Sequence, residues 1–297
     1  MMPYKKEPPY VTILTATYNR KERLKTLFQS LEEQTCSDFQ WLIIDDGSTD
    51  GTEEYVKNLR TNRFIIDYYK KPNGGKHTAL NYSHPYILGN VTFMVDSDDF
   101  LTSDAIKLII EDWEKYRDQA SICGISYLKQ YPNGKHLSSL APKDYFEEND
   151  IHYRVNNRIV GDRAEVLRTE YFVEFNFPEF QGEKFMSEGL LFNTLALKYN
   201  MIYRNKAIYY CEYLEDGLTR SGRQLRLNNP LGMMENCKGF FVPPVNRIVK
   251  AKEMTLYWVY GLQAGFHVKK IIETSNMGHK MIFFAPLGLF LLKLWKK

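Results

Sequence analysis

From Val11 to Leu128 short apolar runs alternate with segments of helical period, and no other feature of the 297-residue chain restricts its fold as much. Residues 11–16 (VTILTA) read as a buried strand, because the run is short, apolar and rich in β-branched side chains. Residues 20–34 follow as a helix with Leu24, Leu27, Phe28 and Leu31 on one face. A second strand is expected at 40–44 (QWLII), then a helix over 49–59 that Ser48 or Thr49 would cap. The series continues with a strand at 63–69, a turn at Pro72-Asn73-Gly74-Gly75, a helix over 76–82 and a strand at 91–95. A helix over 103–117 and a strand over 121–128 complete it. Strands separated by helices predict a parallel, doubly wound α/β sheet. Beyond residue 130 the alternation stops. A polar loop, short strands and one helix over 185–199 read as a second half built onto the same sheet. The chain has no internal repeat and no low-complexity run.

Two predicted strands end in acids. Asp45-Asp46 closes the second, and Asp96-Ser97-Asp98-Asp99 closes the fourth. Ligands of an open parallel sheet sit outside the carboxyl ends of its strands, so both clusters fall on the rim where a site is expected. Acids at strand ends can simply cap the next helix, and that reading suits Asp50 and Asp104. Five carboxylates at two strand ends repel one another, and a divalent cation is a natural partner. Hard oxygen ligands suit Mg2+ or Mn2+. Such a cation is usually completed by substrate phosphates, which points to a phosphate ester as substrate. No GxGxxG follows the first strand. Gly74-Gly75-Lys76-His77 lacks the spacing and the Ser/Thr of a P-loop, so dehydrogenase and P-loop NTPase readings fall away.

Four segments in order resemble the family-2 glycosyltransferases of the GT-A fold. They are Thr15-Ala16-Thr17-Tyr18-Asn19-Arg20, residues 43–50 (IIDDGSTD), residues 73–81 (NGGKHTALN) and Val95-Asp96-Ser97-Asp98-Asp99. The resemblance covers residues 10–130 well, the rest loosely and the tail not at all. It implies a mostly parallel, Rossmann-like sheet flanked by helices, with a C-terminal helical appendage. It also implies nucleotide-sugar contacts from Thr17, Tyr18, Asp45, Asp46, Lys76, Asp96 and Ser97, with Tyr18 against the base and Asp46 at the nucleoside, usually uridine. Asp98, with Asp96, would hold the metal, Mn2+ or Mg2+. His77 and a solvated Lys76 have ordinary structural readings. The family inverts the anomeric centre in one displacement, which needs a base for the acceptor hydroxyl. Glu188, ahead of the apolar run LLFN, is the expected base. The family often has Glu-Asp where this chain has Ser187-Glu188, so Glu183 stands as the alternative, and a first-turn Glu favoured by the helix dipole is the structural reading. Asp162-Arg163 would face the acceptor or form a buried pair. Arg220, Arg223 and Arg226 would close over the diphosphate or form a solvated basic loop. The other functions weighed are a nucleotidyltransferase, which would need a Gly-rich basic loop after the first strand, and a non-catalytic carbohydrate- or membrane-binding module.

Charge divides the chain unevenly. Residues 246–297 carry nine Lys/Arg and two Asp/Glu, while the whole chain carries a net +3, so the remainder is acidic. An acidic body with a basic, apolar tail argues against nucleic acid as partner and for an anionic membrane surface. Residues 281–292 (MIFFAPLGLFLL) are too few to span a bilayer, which takes roughly 20 residues. Lys280 precedes them, and Lys293, Trp295, Lys296 and Lys297 follow, which suits an interfacial segment. The alternative is a C-terminal helix packed on the domain. The expected domains are therefore 1–245, with a nucleotide-sugar half at 10–130 and an acceptor half at 131–245, and a membrane-associated tail at 246–297. Cys36, Cys123, Cys211 and Cys237 form no CxxC pair, and MMPYKKEPPY has no apolar leader, so a reduced, cytoplasmic setting on the inner face of the membrane is expected. A saccharide or lipid-linked acceptor follows from that setting.

Overall fold

The computed structural model describes residues 8–211 and 222–296. These fall into two compact units. The first comprises the chain through Glu148, Val160–Asn176 and the segment from Tyr199; the second comprises Asn149–Ile159, Phe177–Lys198 and the segment from Gly222.

The first unit opens with β1 (Val11–Thr17), α1 (Lys21–Glu32), β2 (Phe39–Asp45), α2 (Thr52–Asn58), β3 (Ile65–Lys70), α3 (Lys76–Ser83) and β4 (Val91–Met94). It continues through β5 (Phe100–Leu101), α4 (Ala105–Trp113), β6 (Ile122–Gln130), β7 (Phe146–Glu148), β8 (Arg163–Arg168), α5 (Thr169–Val173) and β9 (Asn200–Tyr210). Among the described residues these nine strands make one sheet, ordered β3-β2-β1-β4-β8-β6-β9-β5 with β7 against β9. The first four strands are parallel, as the βα alternation requires. Beyond β4 the sheet is mixed. β8 runs antiparallel to both β4 and β6, β9 is parallel to β6, and β5 and β7 are antiparallel to β9. An antiparallel neighbour needs no crossover helix, so this half of the sheet lacks the alternation that announced the first. The α/β expectation holds, with a sheet less uniformly parallel than the first 128 residues suggest. β1 and β2 are buried almost throughout, and Ile13, Trp41, Ile43, Phe93 and Ile125 form the centre of the core.

The second unit is helical: α6 (Gly189–Leu195), α7 (Gly222–Asn228), α8 (Pro230–Lys238), α9 (Arg247–Gln263), α10 (Val268–Thr274), a 3-10 segment (Gly278–Phe284) and α11 (Ala285–Trp295). Asn246 caps α9, its side chain accepting from the Ile248 and Val249 amides. Met233, Cys237, Tyr257, Trp258, Tyr260, Ile271 and Met281 pack as one core, so the helices of the basic tail share a core with α7 and α8. A Cβ on Gly288 would lie 2.5 Å from Cβ of Trp258; the missing side chain lets α11 press onto α9. The Trp258 indole donates to the Met281 carbonyl at 2.7 Å. Among the described residues no helix is long and apolar enough to cross a membrane.

Candidate active site

β1, β2 and β4 are parallel neighbours, so their carboxyl ends lie side by side. Thr17 pairs in register with Asp45. The Asp46 amide donates to the Thr17 carbonyl at 2.8 Å, and the Val95 amide to the Leu14 carbonyl at 3.0 Å. Segments 15–20, 43–50 and 95–99 thereby share one rim.

At the end of β2 both aspartates are spent inside the protein. Asp45 is fully buried and accepts from the Ser48 amide at 2.7 Å and the Tyr68 hydroxyl at 2.5 Å. Burial, then the hydrogen bond to Asp45, pushes the Tyr68 phenol up. Asp46, also buried, accepts from the Lys71 ammonium at 2.7 Å, the Asn73 side-chain amide at 3.0 Å, and the backbone amides of Gly74 and Gly75 at 2.9 and 2.6 Å. One carboxylate thus folds the 73–75 loop around itself. Lys71 also donates to the Thr78 hydroxyl at 2.7 Å. Gly47 sits at φ +85°, where a Cβ would stand 2.9 Å from the Asn73 nitrogen, so the two loops close only over glycine. Asn19, at φ 50°, donates its amide to the Ser48 hydroxyl at 2.9 Å and accepts from the Thr49 amide at 2.8 Å. Asparagine tolerates that left-handed conformation, and it ties the β1 and β2 loops together.

The end of β4 is more open. Lys76, the first residue of α3, donates to the Asp96 carboxylate, and Lys129 of β6 stands 3.7 Å from it. Burial works against the charge on Asp96, but Lys76 and Lys129 outweigh it and hold its carboxyl well below the usual carboxylate range. The Asp96 amide donates to the Tyr209 hydroxyl at 2.9 Å, and the Lys129 ammonium lies 4.1 Å above the Tyr209 ring centre. Asp98 pairs with Arg20 at 2.8 Å, each side chain about a quarter exposed (25% and 26%). Ser97 and Asp99 are buried beside them. Burial, then the neighbouring Asp96, pushes Asp99 up to about 6. Tyr18 stands 49% exposed after β1, while the Thr17 hydroxyl is buried with no hydrogen-bond partner among the described residues.

Three of the five carboxylates whose repulsion pointed to a metal face cations of the chain: Lys71 faces Asp46, Lys76 and Lys129 face Asp96, and Arg20 faces Asp98. Among the described residues no three His, Cys, Asp or Glu side chains gather as a ligand cage. Asp96 and Asp98 fit a hard cation as part of a shell, the incomplete set Mg2+ uses where phosphate supplies further oxygens.

The family model for glycosyl transferase family 2 matches residues 12–174, more than half of the chain. The chain belongs to that family. It is 32% identical over 114 residues to a chondroitin synthase of Pasteurella multocida, a stretch that takes in 38% of this chain and 12% of that protein. The chain therefore spans only a small part of such relatives. Its fold is shared with S. aureus TarS 1–349, solved in complex with UDP-GlcNAc, at a TM-score of 0.62 and 18% identity, over 88% of this chain and 77% of that one. It is shared too with the mannosyltransferase PcManGT of Pyrobaculum calidifontis, solved with GDP-Man and Mn2+, at a TM-score of 0.58 and 16% identity, over 99% and 85%.

Of the residues expected to act in this family-2 chain, Thr17, Asp45, Asp46, Lys76, Asp96, Ser97 and Asp98 lie on the rim or the loops behind it. Glu188 belongs to the second unit, half-buried at the N-cap of α6. Glu183, the alternative base, has both carboxylate oxygens on the Leu231 and Gly232 amides at 2.7 Å, at the start of α8. It is thereby occupied as a helix-terminus ligand. Arg163 is a buried structural residue, donating to Ser126 and to the Arg204 carbonyl. Arg220 lies outside the described residues; Arg223 of α7 lies over the Trp295 ring at 5.1 Å. Sequence reasoning assigned no role to Arg20, Lys71, Lys129 or Tyr209. Lys129 had a usable signal, because a charge in the otherwise apolar strand ICGISYLKQ has to be paired once buried.

Proposed function

We propose that this chain is an inverting transferase that moves a sugar from a UDP-sugar to an acceptor hydroxyl, in the assembly of a bacterial surface polysaccharide. The observation that carries the reading is the end of β4, where Asp96 and Asp98 are partly exposed and set among Arg20, Lys76 and Lys129. That grouping suits a ligand bearing both phosphate and hydroxyl groups. The chondroitin synthase relative and the UDP-GlcNAc complex of TarS support polymer synthesis and a uridine donor.

In this reading Tyr18 offers its exposed ring to the base, and the Thr17 hydroxyl and the Asp46-held loop border the nucleoside. Lys76 and Arg20 release their carboxylates to meet the diphosphate. Asp98, with Asp96, would hold Mn2+ or Mg2+, which when bound neutralises charge on the leaving diphosphate. Glu188 takes the proton of the acceptor hydroxyl as its oxygen bonds to the anomeric carbon. The bond from that carbon to the diphosphate breaks, and UDP leaves with the electron pair. The acceptor is a saccharide or lipid-linked sugar met at the cytoplasmic face of a membrane. The test is a panel of nucleotide sugars, each scored for thermal stabilisation and for metal-dependent hydrolysis with and without EDTA. A UDP-sugar should stabilise the protein and be turned over only with Mn2+ or Mg2+; full activity in EDTA would sink the metal assignment.

A further inference from the structure

The C-terminal segment is apolar well beyond the face that packs on the second unit. On α11 the inner stripe of Gly288, Leu291, Leu292 and Trp295 joins the core of the second unit. Roughly 100–160° round the helix from Gly288 lie Leu287, Phe290 and Leu294, exposed by 56%, 64% and 54%, and the preceding 3-10 segment adds Phe283, exposed by 85%. A surface helix normally puts polar residues there. The cations near this stripe, Lys280, Lys293 and Lys296, are exposed, and residues 278–296 contain no Asp or Glu.

We propose that this outer stripe lies in the headgroup boundary of an anionic membrane, with the three lysines reaching back to the lipid phosphates. The proposal deepens the membrane part of the function above and rests on that reading. Charge selects the occupant. A bilayer surface with anionic headgroups accepts apolar side chains and lysines together, the lysines extending to the interface. A second copy of the same stripe would bring lysines against lysines, because a two-fold contact matches a patch with itself. Length fixes the mode. At about 1.5 Å per residue, eleven residues lie along an interface and cannot cross a bilayer.

Met281 is fully buried and accepts the Trp258 indole, so removing the tail would open the core. The test therefore uses full-length protein with substitutions confined to the outer stripe. Wild type should sediment with vesicles of phosphatidylglycerol and phosphatidylcholine, and weakly with phosphatidylcholine alone. Leu287→Ser, Phe290→Ser and Leu294→Ser together should raise the lipid concentration for half-binding about tenfold or more, with the melting temperature unchanged. Lys280→Gln, Lys293→Gln and Lys296→Gln together should weaken binding on the anionic vesicles only. Unchanged binding by the serine variant overturns the proposal, as does wild type that ignores anionic vesicles. So does light scattering showing a wild-type dimer that the serine variant abolishes. UDP-sugar hydrolysis in the same preparations separates the two readings: vesicle binding without hydrolysis defeats the transferase assignment and leaves the docking face standing.

Discussion

β2 and β4 end in similar acidic clusters, and the protein uses the two ends differently. At β2, Asp45 and Asp46 are enclosed, and their oxygens are taken up by backbone amides, Tyr68, Asn73 and Lys71. At β4, Asp96 and Asp98 face long, partly exposed cationic side chains that can swing to another anion. A carboxylate held by backbone amides shapes a loop, and one held by a lysine or arginine at the surface can be exchanged for a ligand. Spacing and residue type do not distinguish the two; the donors do.

The sharpest way to break this comparison is to remove one acid from each end. Asp98→Ala should abolish transfer, a loss on the order of 10³-fold or about 4 kcal/mol in the barrier. Its pair with Arg20 is part-exposed, so stability should change by less than about 1 kcal/mol. Asp46→Ala should act on stability first, with any loss of donor binding following from the loosened loop. It takes the carboxylate from the half-buried Lys71 ammonium, which keeps only the Pro72 carbonyl and the Thr78 hydroxyl, and it frees the 73–75 loop, costing about 2 kcal/mol of unfolding free energy. Denaturant melts of both variants, alongside turnover, decide the matter. Equal stability losses would mean that the β4 end is as structural as the β2 end.

Two glutamates of the second unit can be tested in the same way: Glu183 is held by the Leu231 and Gly232 amides, and Glu188 is half-buried at the N-cap of α6. Glu188→Gln should keep donor binding and lose transfer by roughly 10²-fold, the usual scale for a general base. Glu183→Gln should lower the melting temperature through the weakened α8 terminus and leave kcat nearly intact. An active Glu188→Gln beside a dead, well-folded Glu183→Gln would reverse the two roles.

What the sequence disclosed follows the same line between local and distant causes. β1, β2, β4, α1 and α4 were readable because apolar period is a local property, and the rim followed from parallel strand order. β5 was missed because two residues carry no period. The mixed half of the sheet was missed because strand direction is set by a partner far along the chain. The resemblance offered Asp45 as a nucleoside contact; its hydrogen bond from Tyr68, 23 residues away on β3, was not legible in the sequence. The C-terminal run was legible as apolar and short, but an apolar run cannot show which of its residues belong to a core. Lys129 and Tyr209 reach Asp96 from β6 and β9, which no motif links to β4.

The smallest expected effect tests the rim at its quietest point. Thr17 ends β1 beside Asp45, and its hydroxyl is buried with no hydrogen-bond partner among the described residues. A buried hydroxyl left unsatisfied costs roughly 1–3 kcal/mol, so a fold that keeps one without using it gives up stability. Thr17→Val retains the shape and β preference and removes only that group. If the hydroxyl serves a donor, the variant should be as stable as wild type or up to about 1 kcal/mol more stable without nucleotide. It should then bind UDP some three- to tenfold more weakly, the worth of about one hydrogen bond. Melting curves with and without UDP read both quantities from one preparation. A variant less stable in the free state would mean that the hydroxyl has a partner inside the protein. Unchanged UDP affinity would confine the donor site to the β4 end, leaving the ends of β1 and β2 as the frame that holds it.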